Sequence, residues 1–524
     1  MDYRITTGQA ALRETVLETT AERPFDAEVT LPDYCPDIGR MLRCRAVPSL
    51  TLSELRADGV RLEGSVRLCC LYTDSRDKAL RCCEHDVPFG VSIAAPVATS
   101  AAASIATSAA TSADSVALNV VLHQGYVNCR ATGQRRLDVH GAVTAAIRAD
   151  APTERDIISG AEGDGVRVRC ENVTISEFTA HKNTAFAISE SLELPQGKPP
   201  IAALLRSGAV MVLQECKPIA GKLIVKGEAA LDMVYRADSG EIETMQYALP
   251  FSQFIDISGV DDSSDIDIGL DVQSCELAPG TDANGEYRRV AADIRARARI
   301  AAFAEREISI MTDAYSVECE LDIERRRLTL EHLAARAEGR CSVTCRPESS
   351  REIERVLDCW CETENASAAC HGNRASVKGS AKCCAVVRLS DGEAEYLESP
   401  VSFESETLLP GECGEGRCDA SAAARSCVCS IAAANRLELR ADIDTVATIR
   451  EDTVVDSICA IKPDESRPKH SDERPAAVLY FGETGEQLWS IARQFDARAE
   501  DIAAENGIEV DALEDERLLL ITVK

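Results

Sequence analysis

A spacing written three times constrains this chain more than anything in its composition. Pro32 is followed by Ile38, Leu42 and Gly64, Pro195 by Ile201, Leu205 and Gly227, and Pro347 by Ile353, Leu357 and Gly379, each set at offsets of 6, 10 and 32. Identities at fixed separations in three places mark a tandem repeat. The period exceeds the roughly 20–50 residues of solenoid units, so each copy is expected to be a domain with its own core.

The segment around each glycine says what kind of domain. Val60, Leu62, Gly64, Val66, Leu68, Cys70 and Tyr72 share one parity, with Arg61, Glu63, Ser65 and Arg67 on the other. Leu223 to Tyr235 and Val377 to Val387 repeat the pattern. Alternation with one apolar face is a strand half-buried in an antiparallel sheet. The glycine lies in the apolar phase, where a missing side chain permits a bend or a close approach. A ligand cleft is the functional alternative for that glycine, and the packing role is the expectation.

A length of 524 residues fits three or four domains at roughly 100–200 residues each. Hydrophobic residues make up 45% of the chain, enough for real cores. A net charge of −30 argues against nucleic acid or an anionic membrane as partner. No apolar run approaches the ~20 residues of a transmembrane helix. The segment Met1–Ala11 lacks a basic region followed by an apolar core, so no secretion signal is expected and the cytosol is the expected compartment.

Of the 23 cysteines, eight precede residue 171, three lie between 171 and 340, and twelve follow. A disulfide framework would recur with the repeat, and this one does not. Reduced cysteine acting as a small hydrophobe is therefore the expectation. The sharpest metal candidate is Cys359, Cys361, Cys370 and His371, with Cys427 and Cys429 as a second group. Neither has the paired spacing of a zinc ribbon or finger, so no metal and no cofactor are expected.

Along the chain, residues 1 to about 30 read as a helix-and-strand lead-in. Leu31–Leu42 (LPDYCPDIGRML) reads as a proline-bounded turn ending in a helix-like pattern at Ile38, Met41 and Leu42. Pro88-Phe89, Pro250-Phe251 and Pro400 with Phe403 open a further strand in each copy. Residues 94–115 are an Ala/Ser/Thr tract expected to be a loop insertion. Each copy closes on a long alternating strand, and the arginine row Arg289, Arg295, Arg297 and Arg299 is expected to be a solvated face paired with carboxylates. No catalytic constellation emerges. Gly280–Glu286 has phosphate-loop spacing with Glu286 where lysine is needed. The run Asp261, Asp262, Asp265 and Asp267 lacks the closing glutamate of a calcium loop.

Ile461–Pro475 is polar with three prolines and reads as a linker. After it, Val478–Phe481 reads as a strand, and Leu488, Ile491, Ala492 and Phe495 as a helix with Thr484 and Gln487 as a candidate capping box. A second helix runs from about Arg498 to Glu505 and stops at Asn506-Gly507, before a closing strand Leu518–Ile521. This small two-layer tail resembles the LysM domain in GEQLWSIARQF (Gly485–Phe495), Glu505-Asn506-Gly507 and Leu518–Ile521. Glu486-Gln487 replace the Asp-Thr usual in that family, and Asp515-Glu516 replace its Pro-Gly. The resemblance implies a groove between two loops that binds N-acetylglucosamine chains. Its residues here would be Gly485, Glu486, Gln487, Trp489, Glu505, Asn506, Gly507, Ile508 and Glu509.

The LPDYCPDIGRML turn, the glycine-centred strand and the Pro-Phe strand resemble the SPOCS domain of endospore-forming Firmicutes. Several such domains before a LysM domain are similar to the family of SipL-like spore morphogenesis proteins. The expected fold is thus mainly β: three antiparallel SPOCS-type repeats (1–165, 166–335 and 336–460), a linker (461–475) and a βααβ LysM domain (476–524). The family implies a non-enzymatic scaffold in the mother-cell cytosol at the forespore surface. There it would couple a spore-coat morphogenetic ATPase to the forespore surface through the LysM tail. The alternative is a cell-wall protein binding peptidoglycan. Eleven acidic against four basic residues in the tail favour a protein partner over a neutral sugar, because a carboxylate buried unpaired costs several kcal/mol.

Overall fold

The computed structural model describes residues 3–56, 58–94, 116–414, 416–469, 477–509 and 511–522. The tract expected as a loop insertion lies, from residue 95 to 115, outside the described residues. The chain is mainly β, as expected. A first set of strands comprises β1 (Arg4–Thr30), β2 (Ile38–Arg56), β3 (Gly59–Asp74), β4 (Leu80–Ala94), β5 (Ala117–Gly133) and β6 (Arg136–Glu162). A second comprises β7 (Val166–Glu193), β8 (Ile201–Ile219), β9 (Lys222–Ala237), β10 (Ile242–Asp256), β11 (Asp265–Gly280) and β12 (Arg289–Ser316). A third comprises β13 (Cys319–Cys345), β14 (Ile353–His371), β15 (Arg374–Leu389), β16 (Ala394–Leu408), β17 (Gly416–Ala433) and β18 (Arg436–Pro468). One topology serves all three sets. The first, sixth and fifth strands form one antiparallel sheet (β1-β6-β5, β7-β12-β11, β13-β18-β17), and the second, third and fourth form another.

The recurrent glycine sits at the centre of the second sheet. Gly64 lies opposite Phe89, Gly227 opposite Phe251 and Gly379 opposite Phe403. On the other flank the second strand carries a bulge at the same level, between Leu50 and Leu52, Leu213 and Glu215, and Glu364 and Ala366. The bulge drives a carbonyl (of Ser49, Val212 or Asn365) at the glycine, and the phenylalanine ring covers it from the other side. A methyl group at any of the three would collide with both. The ring over the bare backbone supplies the packing the glycine lacks.

Two further bulges correct the helix-like reading of Ile38, Met41 and Leu42. The register slips between Ile38 and Arg40 and again between Met41 and Arg43, and both slips recur in β8 and β14. Each slip adds one residue to an alternating strand, so apolar positions fall at helical spacing with no helix present. The consequence is a division of labour. Ile38 and Met41 enter their own repeat's core, whereas Leu42 points out of it. The turn before β2 is held by one side chain: Arg135 donates to the Leu31, Pro32 and Cys35 carbonyls, and Arg288 to those of Pro195 and Lys198.

Leu42, Leu205 and Leu357 meet in a single cluster with the equivalent trios Leu71, Val234 and Val386, and Leu80, Ile242 and Ala394. Equivalent faces of three copies meeting at one place amount to closure about a pseudo-threefold axis. Each buried leucine contributes about 2 kcal/mol to that closure. Farther along the axis, β6, β12 and β18 outrun their fifth-strand partners and pair only with β1, β7 and β13. The three resulting ribbons pack through Ala10 and Ile157, Ile175 and Ile310, and Leu328 and Val455. Between the two apolar layers the symmetry breaks. Asp150, Phe303 and Arg450 stand at the same distance along their strands as an acid, an aromatic and a base. Arg450 is 1% exposed, lies 5.2 Å from the Phe303 ring and pairs with Asp267 at 2.5 Å and Glu331 at 3.5 Å. Burial, followed by the neighbouring Arg13, pushes its pKa down.

Several expectations need correction. Residues 4–30 are strand throughout, with no helix: β1 pairs with β6 along its whole length, and that ladder overrides local preference. The expected boundary at 335/336 falls inside β13, because the third set opens with a first strand as long as β1 and β7. The expected linker begins inside β18. Pro463 and Pro468 are tolerated there because that stretch pairs only with β13, leaving its other edge free of a ladder. Residues 470–475 lie outside the described residues. Cys359, Cys361 and Cys370 do not converge. Cys359 donates to the Cys427 carbonyl, Cys361 lies 3.8 Å from Cys383, and Cys370 forms a disulfide with Cys413, the one exception among cysteines whose other 21 members are free.

Candidate partner-binding surface on the C-terminal tail

The tail consists of β19 (Ala477–Gly482), α1 (Leu488–Gln494), α2 (Ala499–Asn506) and β20 (Arg517–Thr522), with β19 antiparallel to β20. Leu488, Ile491, Ala492, Ile502, Leu519 and Ile521 form its core, and Phe495 packs edge-on against Tyr480 at 5.2 Å. That core also contains Tyr315 from the end of β12. The tail is therefore seated on the second repeat's ribbon.

The seat is built around one carboxylate. Asp313 accepts hydrogen bonds from Trp489 Nε1 at 2.8 Å, Arg493 at 2.9 Å and Arg325 at 2.7 Å. Burial opposes its charge, but the Trp489 hydrogen bond, Arg325 and Arg493 outweigh it and hold the pKa below the usual carboxylate range. The Tyr315 ring meets Trp489 at 4.8 Å in a T arrangement, and its hydroxyl donates to the Ala497 carbonyl at 2.9 Å. Burial pushes the Tyr315 phenol up to about 12, so it stays a donor. Arg169 donates to Gln487 Oε1 at 2.6 Å, and Lys469 pairs with Asp496 at 2.6 Å.

These contacts redistribute the residues that the sequence grouped as one groove. Gln487 and Trp489 face the chain's own second repeat. Gln487 is the residue capping α1 but makes no side-chain cap, so the expected capping box with Thr484 does not form; the Leu488 N–H is met by the Asp511 carbonyl instead. Gly485, at φ +85°, donates to the Leu513 carbonyl. Glu486 accepts from the Tyr480 hydroxyl at 2.7 Å and from the Glu483 N–H, so its carboxylate holds the loop. Glu505 accepts from Thr522, and Asn506 bonds both the N–H and the carbonyl of Leu520. Gly507 takes the left-handed conformation that ends α2, Ile508 is buried and Glu509 is exposed. The loop Gly485–Gln487 runs beside residues 511–513, which the sequence reading did not include.

The sequence reading also missed the outer face of the small sheet. Leu479, Phe481, Leu518 and Leu520 are 67%, 59%, 58% and 43% exposed, and they form the cross-strand pairs Leu479–Leu520 and Phe481–Leu518. Four apolar residues in a row, Leu518–Ile521, were the available signal. A two-stranded sheet with helices on one side buries only alternate positions, so the others must face outward. An exposed apolar patch of this kind marks an interaction surface.

A cavity of about 930 Å³ opens at the junction of the three repeats. Arg43 and Arg206 flank the Trp360 ring there at 4.8 and 5.0 Å, but Arg43 pairs with Glu362 and Arg206 with Asp358. Those charges are satisfied within the protein. Among the described residues, no helix is long and apolar enough to cross a membrane.

No curated protein and no solved structure matches the chain. Residues 200–278, which span β8 to β10 and nearly all of β11, match the family model described as SipL, SPOCS domain, and through this stretch the chain is similar to that sporulation family.

Proposed function

We propose that this chain is a non-enzymatic scaffold of endospore envelope assembly, with three SPOCS-type repeats closed into one body and a LysM-type tail that engages a spore-coat morphogenetic ATPase. The observation that carries the reading is the pairing of a SipL SPOCS match in the second repeat with an exposed apolar face on the tail. Groups expected to read a sugar have other work: Trp489 and Gln487 hold the repeats, and Glu486 and Asn506 hold the tail together. The face formed by Leu479, Phe481, Leu518 and Leu520 suits a protein surface, and the tail's excess of carboxylates favours a basic one.

The test is retention of the purified ATPase by the full chain, compared with a Phe481→Ser/Leu520→Ser variant whose folding is checked by circular dichroism. The expected result is at least a tenfold loss of affinity with the fold retained. Tight binding of chitooligosaccharide or peptidoglycan by the full chain, with no retention of the ATPase, would replace this reading by the wall-binding alternative.

A further inference from the structure

Repeat 1 gathers sulfur at a place where the fold does not require it. Cys44 on β2, Cys70 on β3 and Cys129 on β5 bring their Sγ atoms within 4.8 Å of one another, the only such trio of potential ligands among the described residues. Cys44 Sγ and Cys70 Sγ are 3.5 Å apart. Cys83 on β4 stands directly opposite Cys70 in the ladder and is buried beside it in the same core. Three strands from both sheets of the repeat thus bring their sulfurs to one spot, and Cys83 on a fourth strand lies beside it, outside the 4.8 Å group.

The other two repeats show what that spot needs for packing alone. Register places Ser207, Met233, Met245 and Leu277 at the four equivalent positions of repeat 2, and Cys359, Ala385, Leu397 and Cys429 at those of repeat 3. Methionine and leucine fill it in one copy, alanine and leucine beside two cysteines in another. The fold accepts apolar infill there, and only repeat 1 carries four thiols. In repeat 3, Cys361 meets Cys383 at 3.8 Å and Cys359 donates to the carbonyl of Cys427, but no trio forms among the described residues.

The spacing discriminates between the chemistries open to clustered thiols. A disulfide needs sulfurs about 2.05 Å apart and would leave the other two thiols unused. A tetrahedral zinc–thiolate centre, with bonds of about 2.3 Å, sets its sulfurs about 3.8 Å apart. The Cys44–Cys70 separation lies near that edge. We propose that Cys44, Cys70 and Cys129, with Cys83 as fourth donor, bind one Zn²⁺. The donor set is all-thiolate, which selects a soft or borderline d¹⁰ ion over magnesium or calcium. Each thiol gives its proton to solvent as its sulfur bonds the metal. Cys44 and Cys129 are only partly buried, so the ion reaches the site from their side. Once bound, it ties β2, β3 and β4 to β5 in the opposite sheet.

The experiment uses the full chain purified under reducing conditions without chelator. Zinc is measured by atomic emission, and the metal-free protein is titrated with Co²⁺. One equivalent of zinc is expected, with sulfur-to-cobalt charge transfer and the intense visible bands of a tetrahedral thiolate site. The variant carrying repeat 2's residues (Cys44→Ser, Cys70→Met, Cys83→Met and Cys129→Leu) is expected to fold and to lose that equivalent, whereas Cys359→Ser is expected to keep it. Wild-type protein with less than a tenth of an equivalent and no tetrahedral cobalt bands overturns the proposal, independently of whether the variants fold. A full equivalent retained by the fourfold variant also overturns it.

Discussion

Repeats 1 and 2 share the backbone devices of the second sheet and its proline turn and differ in what fills the space those devices enclose. Both have the same three bulges on the second strand, the same glycine under a phenylalanine ring, and an arginine clamping the proline turn. Tyr72 and Tyr235 are fully buried, and both donate to a proline carbonyl of the turn, Pro36 and Pro199. Yet Cys70 faces Cys83 where Met233 faces Met245, and Asp150 stands at the axis where repeat 2 has Phe303. The difference teaches which constraints are local. Backbone geometry tolerates one solution, whereas core infill needs only apolar volume, and axis positions answer to a different neighbour in each copy.

The strongest way to break the comparison is at the shared glycine. Gly64→Val and Gly227→Val are each expected to cost more than about 4 kcal/mol, because the new side chain meets a carbonyl and a ring that cannot both retreat. Thermal unfolding and soluble yield of the full chain check this. A severe loss in one repeat and a mild one in the other would show that the two bulges are not equivalent. The axis comes next. Arg450→Met should cost about 3 kcal/mol, since it leaves Asp267 without its buried partner, although Glu331 keeps Arg13 at 2.9 Å. A neutral result in denaturant titration would mean that the asymmetric charges do not order the three copies.

A third test concerns the tail, which repeat 2 seats and repeat 1 does not. At the positions of Asp313 and Tyr315, counted from the start of the sixth strand, β6 has Gly160 and Glu162. Asp313→Asn should weaken docking by about 1–2 kcal/mol, the loss of charge-assisted hydrogen bonds that are partly solvated. In a Trp360→Phe background, Trp489 fluorescence reports it directly. The same reporter follows pH. The docked carboxylate has the lower pKa, so its contribution is complete above the undocked value of about 3.9 and is lost as pH falls through the lowered one. A change in emission with its midpoint above about 3.9 would contradict that assignment. The smallest effect belongs to the arginine row. Arg289 and Glu193 pair at 2.8 Å but are both exposed, so Arg289→Ala should change stability by less than about 0.5 kcal/mol.

The repeat itself was legible because its marks are obligatory. A bulge aimed at a strand's backbone admits only glycine opposite it, so Gly64, Gly227 and Gly379 had to recur, and their alternating neighbours announced strands. The offset of ten residues at Leu42, Leu205 and Leu357 was equally visible, but its meaning was not: nothing in the spacing says that those leucines leave their own cores to meet one another. Bulges also disguised strand as helix at Ile38, Met41 and Leu42, since an inserted residue changes the apparent period without changing the element. In the tail, two helices between two strands were readable from local pattern. The seat that takes Trp489 and Gln487 out of the expected groove depends on Asp313 and Tyr315 for the first and Arg169 for the second, all more than 170 residues away.

The sequence by itself determined where this chain must bend, bulge and alternate, because those demands arise within one strand and its immediate neighbours. Tertiary structure alone decided which sulfurs converge, which leucines face the axis and which charges are buried there. Cys44, Cys70 and Cys129 lie on three strands, and no short-range spacing can signal a meeting that only the packing of two sheets creates.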